Sequence, residues 1–517
     1  MKKTARIPSI FILVFLCQLL VAGAPQSPAG NSPAVRIVGE VFTGGRQMRY
    51  LSLLSDEIES RLTGSKGAER AMQAMEAEMT QVGLAGVHRE PFKIPISWER
   101  GQARASLFSF GDRPLTIASY KWTPATTGPA LGPVIEVGAG RPEDIERVRG
   151  QLKDAIALAT PSGASLDEVI YNFYRAPLLA KEVKEAGALA LMIASDKQNA
   201  MLFTAPVDFN ARLAALPTVS IDREDVGLLQ RLLARKEDVR VRLDVRNTVG
   251  GAFESANVVG VIPGREKPEE IVVVGAHLDS NDLGPGALDN AAGSAAVLET
   301  ARAIRALGLV PRRTIRFVLF MGEEEGMLGS NAYVSRHRDE MDRTVAALIM
   351  DIGAGKPQGW FSMGRTDLDA RIGELMSPLK DLGMSQIEHA AFAATDNAAF
   401  MAEGVPNLVL LQDETSYFPV HHTVADTPDK AEPRDFAGCV AALAATAYAI
   451  ADRPGQFGRR LNADEVKKLA AETKVDAQWR AAGIWPGPSS RFLHRFCLNS
   501  ARAVAVVELL KCGRHSG

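Results

Sequence analysis

The sequence predicts an α/β fold: a mostly parallel open sheet with helices on both faces, interrupted by a smaller β-rich inserted unit. Two observations predict it. Strands alternate with helices from Asn257 to about Asp452, and four short aliphatic runs in that stretch each stop at a residue able to bind a metal. Residues 271–276 run into His277, and residues 315–320 lead to Glu323 and Glu324. Residues 346–350 end at Asp351, and residues 408–411 precede the loop with His421 and His422. Runs of this length and branching read as buried strands. Ligands of an open α/β sheet bind beyond the carboxyl ends of its strands, so four such strands would deliver these side chains to one crevice.

The elements follow in chain order. Lys2, Lys3 and Arg6 precede the apolar run 10–16, and Ala22, Gly23 and Ala24 follow, which reads as an export signal over residues 1–24. Ala29 is a rival cleavage site, because cleavage after Ala24 would leave Pro25 first. The run is shorter than the roughly 20 apolar residues of a spanning helix, so the mature chain is expected to be soluble, secreted or periplasmic. Residues 47–83 read as helical, with Met72, Met75, Met79 and Val82 on one face as core packing. Between about Thr116 and Arg246 the pattern changes to strands near 132–137, 155–159, 190–193 and 217–221, with one helix over 178–186 stopped by Gly187. That block has no cluster of metal ligands or nucleophiles and reads as a structural or substrate-shaping module. The main sheet begins with a strand at 257–262 and its Pro263-Gly264 turn. A helical segment near 461–482 and a break at Pro486-Gly487-Pro488 follow. Residues 489–517 carry five Lys/Arg against one Glu and receive no function.

Composition narrows the function. At 517 residues, with 46% hydrophobic and 23% charged, the chain can hold two or three globular domains. Its 59 basic and 61 acidic side chains nearly balance, which gives no reason to expect nucleic acid or an anionic surface as partner. Cys17 leaves with the signal. Cys439, Cys497 and Cys512 are too sparse for a disulfide framework, none lies near the candidate site, and Cys439 reads as a buried small hydrophobe in an Ala-rich helix. Metal ligands must come from His, Asp and Glu.

Each candidate has a bland alternative when taken singly. A strand-end His277 is most often a hydrogen-bonded core residue, Asp289 before an Ala-rich helix is most often an N-cap, and an acidic turn is usually solvated. Their joint occurrence at strand ends defeats those readings together. In His277-Leu278-Asp279 the alternation of an extended chain puts His277 and Asp279 on one side, where the carboxylate can orient the imidazole. Glu323 and Glu324 point different ways, so one can bind metal while the other handles a proton.

Gly275-Ala276-His277-Leu278-Asp279-Ser280, the stretch Gly286-Ala287-Leu288-Asp289-Asn290-Ala291-Ala292-Gly293, and Gly322-Glu323-Glu324-Glu325-Gly326-Met327-Leu328-Gly329-Ser330 resemble the co-catalytic zinc aminopeptidase family. The segment from His422 to Thr427 completes the match. The resemblance implies a peptidase domain from residues 36–115 and 250–455 and a C-terminal extension over 456–517. Residues 116–246, especially 180–188, resemble an inserted protease-associated domain. With Tyr417-Phe418 ahead of paired histidines, the whole is most similar to the plasma glutamate carboxypeptidase type, which cleaves dipeptides. The family implies two zinc ions bridged by Asp289, with His277 and Asp351 on one, and Glu324 and His422 on the other. It makes Glu323 the general base and Asp279 the partner of His277. Gly326 and Gly329-Ser330 set the register among the three glutamates; Thr423 favours His422 over His421 as ligand.

The resemblance implies a zinc exopeptidase, an aminopeptidase or dipeptidase acting on short peptides, with a carboxypeptidase as the alternative. A glutaminyl cyclase, which uses one zinc, is disfavoured by the insert and by the uninterrupted 323–330 motif. A metal-free receptor-like relative is disfavoured because all five ligand positions and the base are present. No Arg or Lys occurs within 277–289, 323–330 or 415–427, so a free N-terminus is the expected requirement. Thr395-Asp396-Asn397 stands where relatives often place Asp followed by His, so side-chain preference is not carried over.

Overall fold

A computed structural model describes residues 32–161 and 166–481. The export signal, the Pro486–Pro488 break, Cys497, Cys512 and the basic C-terminal stretch lie outside the described residues.

The main sheet has eight strands, in the spatial order Ala85–Ile94, Phe253–Ile262, Arg313–Phe320, Lys267–His277, Thr344–Ile349, Asn407–Gln412, Pro357–Phe361 and Gln386–Glu388. The four central strands, Arg313–Phe320 through Asn407–Gln412, run parallel. The sheet is nonetheless mixed: Ala85–Ile94 pairs antiparallel with Phe253–Ile262, Phe253–Ile262 with Arg313–Phe320, and Pro357–Phe361 with Asn407–Gln412, while Gln386–Glu388 pairs parallel with Pro357–Phe361, so four of the seven pairings are parallel. The Pro263-Gly264 turn shows why. A tight turn reverses the chain, and a parallel return needs a long crossover, usually a helix.

The parallel strands are buried on both faces. Val272, Val274 and Ala276 join one core with the helices Pro33–Gly44, Lys66–Val82, Ala292–Ala306 and Pro433–Asp452. Ile271 and Val273 face the other way, toward Tyr333, Phe400 and Trp479. This is the alternation of a strand feeding two helical layers, and it fixes which way His277 points when the strand ends. The helix Pro433–Asp452 is long and apolar enough to cross a membrane, but Phe436, Cys439, Leu443 and Ile450 are wholly buried in the core.

The helical reading of residues 47–83 needs a correction. Helical structure from Gln47 to Ile58 stops at Glu59 with φ 67°, and a helix resumes at Lys66–Val82, capped by the Ser65 hydroxyl. The interruption carries Arg61, whose buried guanidinium donates to the carbonyls of Leu54, Glu59, Leu278, Pro285 and Gly286. Five carbonyl acceptors, three of them (Leu278, Pro285 and Gly286) distant in the chain, outweigh a local helical propensity of roughly a few tenths of a kcal/mol per residue. Near residues 461–482 there are likewise two short helices, Ala463–Glu472 and Val475–Ala481.

A second eight-stranded sheet runs in the order Arg113–Leu115, Ala103–Leu107, Arg240–Val245, Ala130–Glu136, Ile156–Ala159, Ala190–Ala194, Thr218–Ile221 and Ile117–Ser119. It takes in two strands ahead of residue 116. It also carries three helices, Pro142–Val148, Leu166–Glu185 and Arg223–Ala234, where the sequence reading expected one over 178–186. Asp222 caps the last of these by accepting from the Asp225 amide at 2.7 Å.

Candidate active site

The four strand ends meet. His277 closes its strand, and its Nε2 lies 2.8 Å from Asp351 Oδ1 and 3.3 Å from Asp289 Oδ1. Across Asp289, the other carboxylate oxygen, Oδ2, lies 3.1 Å from His422 Nε2, which is itself 2.9 Å from Glu324 Oε2. Asp289 thus presents one oxygen to each of two donor groups. His421 stacks on His422 with ring centroids 3.8 Å apart, but its Nε2 is 3.4 Å from Asp289 Oδ2 and is more exposed. Both histidines can share an ion with Asp289, while His422 alone also meets Glu324.

Asp289 is not an N-cap. It sits in the irregular turn Ala287–Ala291 with φ −124° and ψ 87°, and the helix begins at Ala292. The capping is done by Asn290, whose Oδ1 accepts from the Gly293 amide at 2.8 Å while its Nδ2 donates to the Met350 carbonyl at 2.9 Å. Asp426 fixes the same turn from the far side, accepting from the Leu288 and Asp289 amides at 2.7 and 3.0 Å. The segment from His422 to Thr427 therefore contributes a turn anchor as well as an imidazole.

Asp279 does less for His277 than the alternation suggested. Its main-chain carbonyl is the group within hydrogen-bond reach of Nδ1, at 3.1 Å, while its carboxylate is 3.7 Å away. That carboxylate accepts instead from the Thr63 hydroxyl and from the Glu323 and Glu324 amides. It ties the first strand end to the second and sets the direction of both glutamates. Glu323 Oε2 lies 4.0 Å from His277 Nε2. Burial, followed by Asp351, Asp396 and Glu324, holds the Glu323 carboxyl well above the usual carboxylate range, against the pull of His277.

Two lysines and an arginine from the second sheet and its connections close the site. Lys121, fully buried, places Nζ 2.9 Å from Glu324 Oε2 and 3.6 Å from Glu325 Oε1. Arg100 makes a two-pronged ion pair with Asp282, both contacts at 2.6 Å. Lys197 donates to the Phe418 carbonyl at 2.7 Å. The Thr204 hydroxyl donates to Asn281 Oδ1, Asn281 Nδ2 donates back to the Thr204 main-chain carbonyl, and the Asn210 amide donates to the Glu325 carbonyl at 2.7 Å. The loops were correctly read as free of Lys and Arg, but the fold brings cations to them from residues no motif marks.

The donor set fits zinc. Carboxylate oxygens and imidazole nitrogens are its ordinary protein ligands. Glu324 Oε1 and His422 Nδ1 are buried without a hydrogen-bond partner, and Asp289 Oδ2 meets the imidazoles of His421 and His422 at ion-pair distance. So many acidic groups in one buried place require positive charge beyond that of Lys121 and Arg61. The imidazoles register that demand: burial disfavours their charge, yet Asp351 holds His277 well above its usual range and Glu324 pushes His422 up to about 9. A metal ion would compete with those protons for the same nitrogens.

The model of peptidase family M28 matches residues 257–447, a span holding every strand end described above. Carboxypeptidase Q of Homo sapiens is 30% identical over 410 residues, covering 79% of this chain and 85% of that protein. The crystal structure of a Peptidase M28 precursor from Shewanella amazonensis SB2B superimposes with a TM-score of 0.75 at 29% identity, covering 83% of this chain and 98% of that one. BSAP, a zinc aminopeptidase from Bacillus subtilis, shares the fold at a TM-score of 0.64 and 21% identity, over 81% of this chain and 98% of that one. The chain belongs to peptidase family M28 and is a metallo-exopeptidase.

Proposed function

We propose that this peptidase hydrolyses short peptides with two zinc ions, held by His277, Asp289 and Asp351 on one side and by Asp289, Glu324 and His422 on the other. The observation that carries the reading is Asp289, whose two oxygens face the two imidazoles separately. Bound zinc supplies Lewis acidity, which polarises a scissile carbonyl and makes water acidic enough to attack at neutral pH. The chain supplies the rest. Glu323 accepts the proton of the attacking water and returns it to the leaving amine nitrogen, a role that its position beside His277, at 4.0 Å and outside the two ligand groups, supports. Asp279 holds the Glu323 and Glu324 amides and so fixes the angle between base and ligand.

The second sheet with its helices is proposed to be the protease-associated module, covering the cleft and limiting substrates to short peptides. Its contacts through Lys121, Thr204 and Asn210 support this. The basic and apolar N-terminal sequence supports export. Neither nucleic acid nor membrane figures among the proposed partners.

The test is metal content together with turnover. Protein stripped by chelator should cleave no dipeptide, and activity should return with two equivalents of zinc. Full activity with one equivalent would sink the bridged-pair reading, and undiminished activity after stripping would sink the zinc reading altogether.

A further inference from the structure

The segment that interrupts the N-terminal helices reaches the catalytic loops through one side chain. Arg61 is wholly buried, and its guanidinium meets carbonyls rather than carboxylates. Its Nε donates to the Leu278 carbonyl at 2.8 Å, Nη1 to that of Pro285 at 2.7 Å and Nη2 to that of Gly286 at 2.8 Å. The Arg61 amide donates to Ser280 Oγ at 3.0 Å, and the Leu54 and Glu59 carbonyls anchor the guanidinium in its own segment. Leu278 directly follows His277, and Gly286 lies shortly ahead of Asp289. One planar group therefore ties together both ends of the loop that joins these two ligands.

The same turn is held from its other side. Asp426 accepts from the Leu288 and Asp289 amides, so a cation fixes the carbonyls of 285–286 and an anion fixes the amides of 288–289. A buried cation with no carboxylate in contact is costly. Burial lowers the Arg61 pKa to about 10, and Asp426, Asp279, Asp289 and Glu324 oppose that fall through space. The charge is thus placed for the acidic centre, while the donors are spent on the loop. A lysine could supply the charge but not a rigid fork aimed at three carbonyls.

We propose that Arg61 is a positioning residue: it sets the distance between His277 and Asp289 before any metal arrives, so that the bridging carboxylate needs no rearrangement to bind. This rests on the two-zinc reading above. Arg61, being wholly buried, meets no substrate, and its effect passes through Asp289. Partners that orient metal ligands are typically worth roughly 10- to 100-fold in metal affinity. Arg313 provides the comparison. It is as deeply buried and also donates to main-chain carbonyls, those of Arg453 and Gly455, but it opens the strand Arg313–Phe320 at the end away from the glutamates.

The experiment compares wild type, Arg61→Lys and Arg313→Lys in zinc affinity by chelator competition, in the visible absorption spectrum of the cobalt-substituted protein, and in dipeptide turnover at saturating zinc. Arg61→Lys should bind zinc about 10- to 100-fold more weakly and shift the cobalt bands. Its kcat should fall by about 10-fold with KM little changed. Arg313→Lys should match wild type in all three, even where urea denaturation shows an equal loss of stability. Equal effects in the two variants would overturn the proposal, as would wild-type zinc affinity and an unshifted cobalt spectrum in Arg61→Lys; either result leaves the two-zinc reading intact. Wild type that binds fewer than two zinc ions would overturn that reading and the proposal with it. Should Arg61→Lys fail to fold, hydrogen exchange of wild type decides: residues 278–289 must be protected in chelator as well as in zinc, and protection gained only with zinc refutes the proposal.

Discussion

Replacing Lys121 with methionine tests whether the second sheet is part of the metal centre or merely lies against it. Lys121 and Glu325 are wholly buried, Glu324 is nearly so, and both Glu325 oxygens lack a hydrogen-bond partner. Methionine fills similar volume but leaves two buried carboxylates facing each other. Removing one partner of a buried ion pair costs about 3–5 kcal/mol. The lower end applies, because Glu325 can escape by staying protonated: burial already pushes its pKa up to about 8, with Lys121 opposing and Asp279 and Glu324 adding to the rise. Glu324 has no such escape, being held ionised by His422 as well as Lys121. The assay is urea denaturation followed by circular dichroism, with chelator and then with saturating zinc. Lys121→Met should lose about 3 kcal/mol in chelator and less in zinc, since the metal supplies the missing positive charge. Adding Glu325→Gln should return about 1–3 kcal/mol of coupling. A loss under about 1 kcal/mol in chelator, or a larger loss in zinc than in chelator, would refute the reasoning.

Glu323→Gln should keep both zinc ions and lose nearly all turnover, whereas Glu324→Gln should lower zinc content itself; retained activity in the first would make Glu324 the next candidate base. The zinc-free protein should grow less stable from pH 5 to 8. Burial first, then neighbouring acidic charges, raise Asp396 to about 7, Asp426 to about 7 and Glu325 to about 8. The folded state thus keeps protons that the unfolded chain, with carboxyls near 4, has lost, and stability falls as pH rises through that window. Thermal melts in chelator at several pH values should show it, saturating zinc should flatten it, and a rising melting temperature would contradict it.

The strand ends were legible because parallel strands buried on both faces are written as unbroken apolar runs, so the residue where each run stops is conspicuous. Asp289 was legible as important but not as irregular. Its own preferences favour a cap, and only the pull of Asp426 on its amide and of Asn290 on the helix start displaces it into a turn. The break at residues 59–65 was hidden for a similar reason: Arg61 is stabilised by carbonyls more than 200 residues away in the chain, which no local window contains. Lys121 and Lys197 left no trace in sequence at all. A single lysine acquires meaning from what it touches, and Lys121 lies 203 residues from Glu324. The helix over 223–234 was a plain omission, since Asp222 stands ahead of it as an ordinary cap.

These contacts change what removing the second sheet should do. A passive lid could be cut out between residues 116 and 246, leaving an intact catalytic centre that admits longer peptides. The structure argues otherwise. The excision takes away Lys121 from between Glu324 and Glu325, Phe203 from the face of His422, and the Asn210 amide from the Glu325 carbonyl. Water can solvate the freed carboxylates, so the shortened protein need not unfold, but nothing then holds Glu324 and His422 in register. It should bind zinc more weakly and cleave dipeptides at least about 10-fold more slowly, because misplacing a ligand or base by an ångström costs on that order or more. Zinc titration by isothermal calorimetry and a length series from dipeptide to hexapeptide read both effects. A truncated protein with wild-type zinc affinity, undiminished dipeptidase activity and a gain on hexapeptide would show that the module is a lid and nothing more.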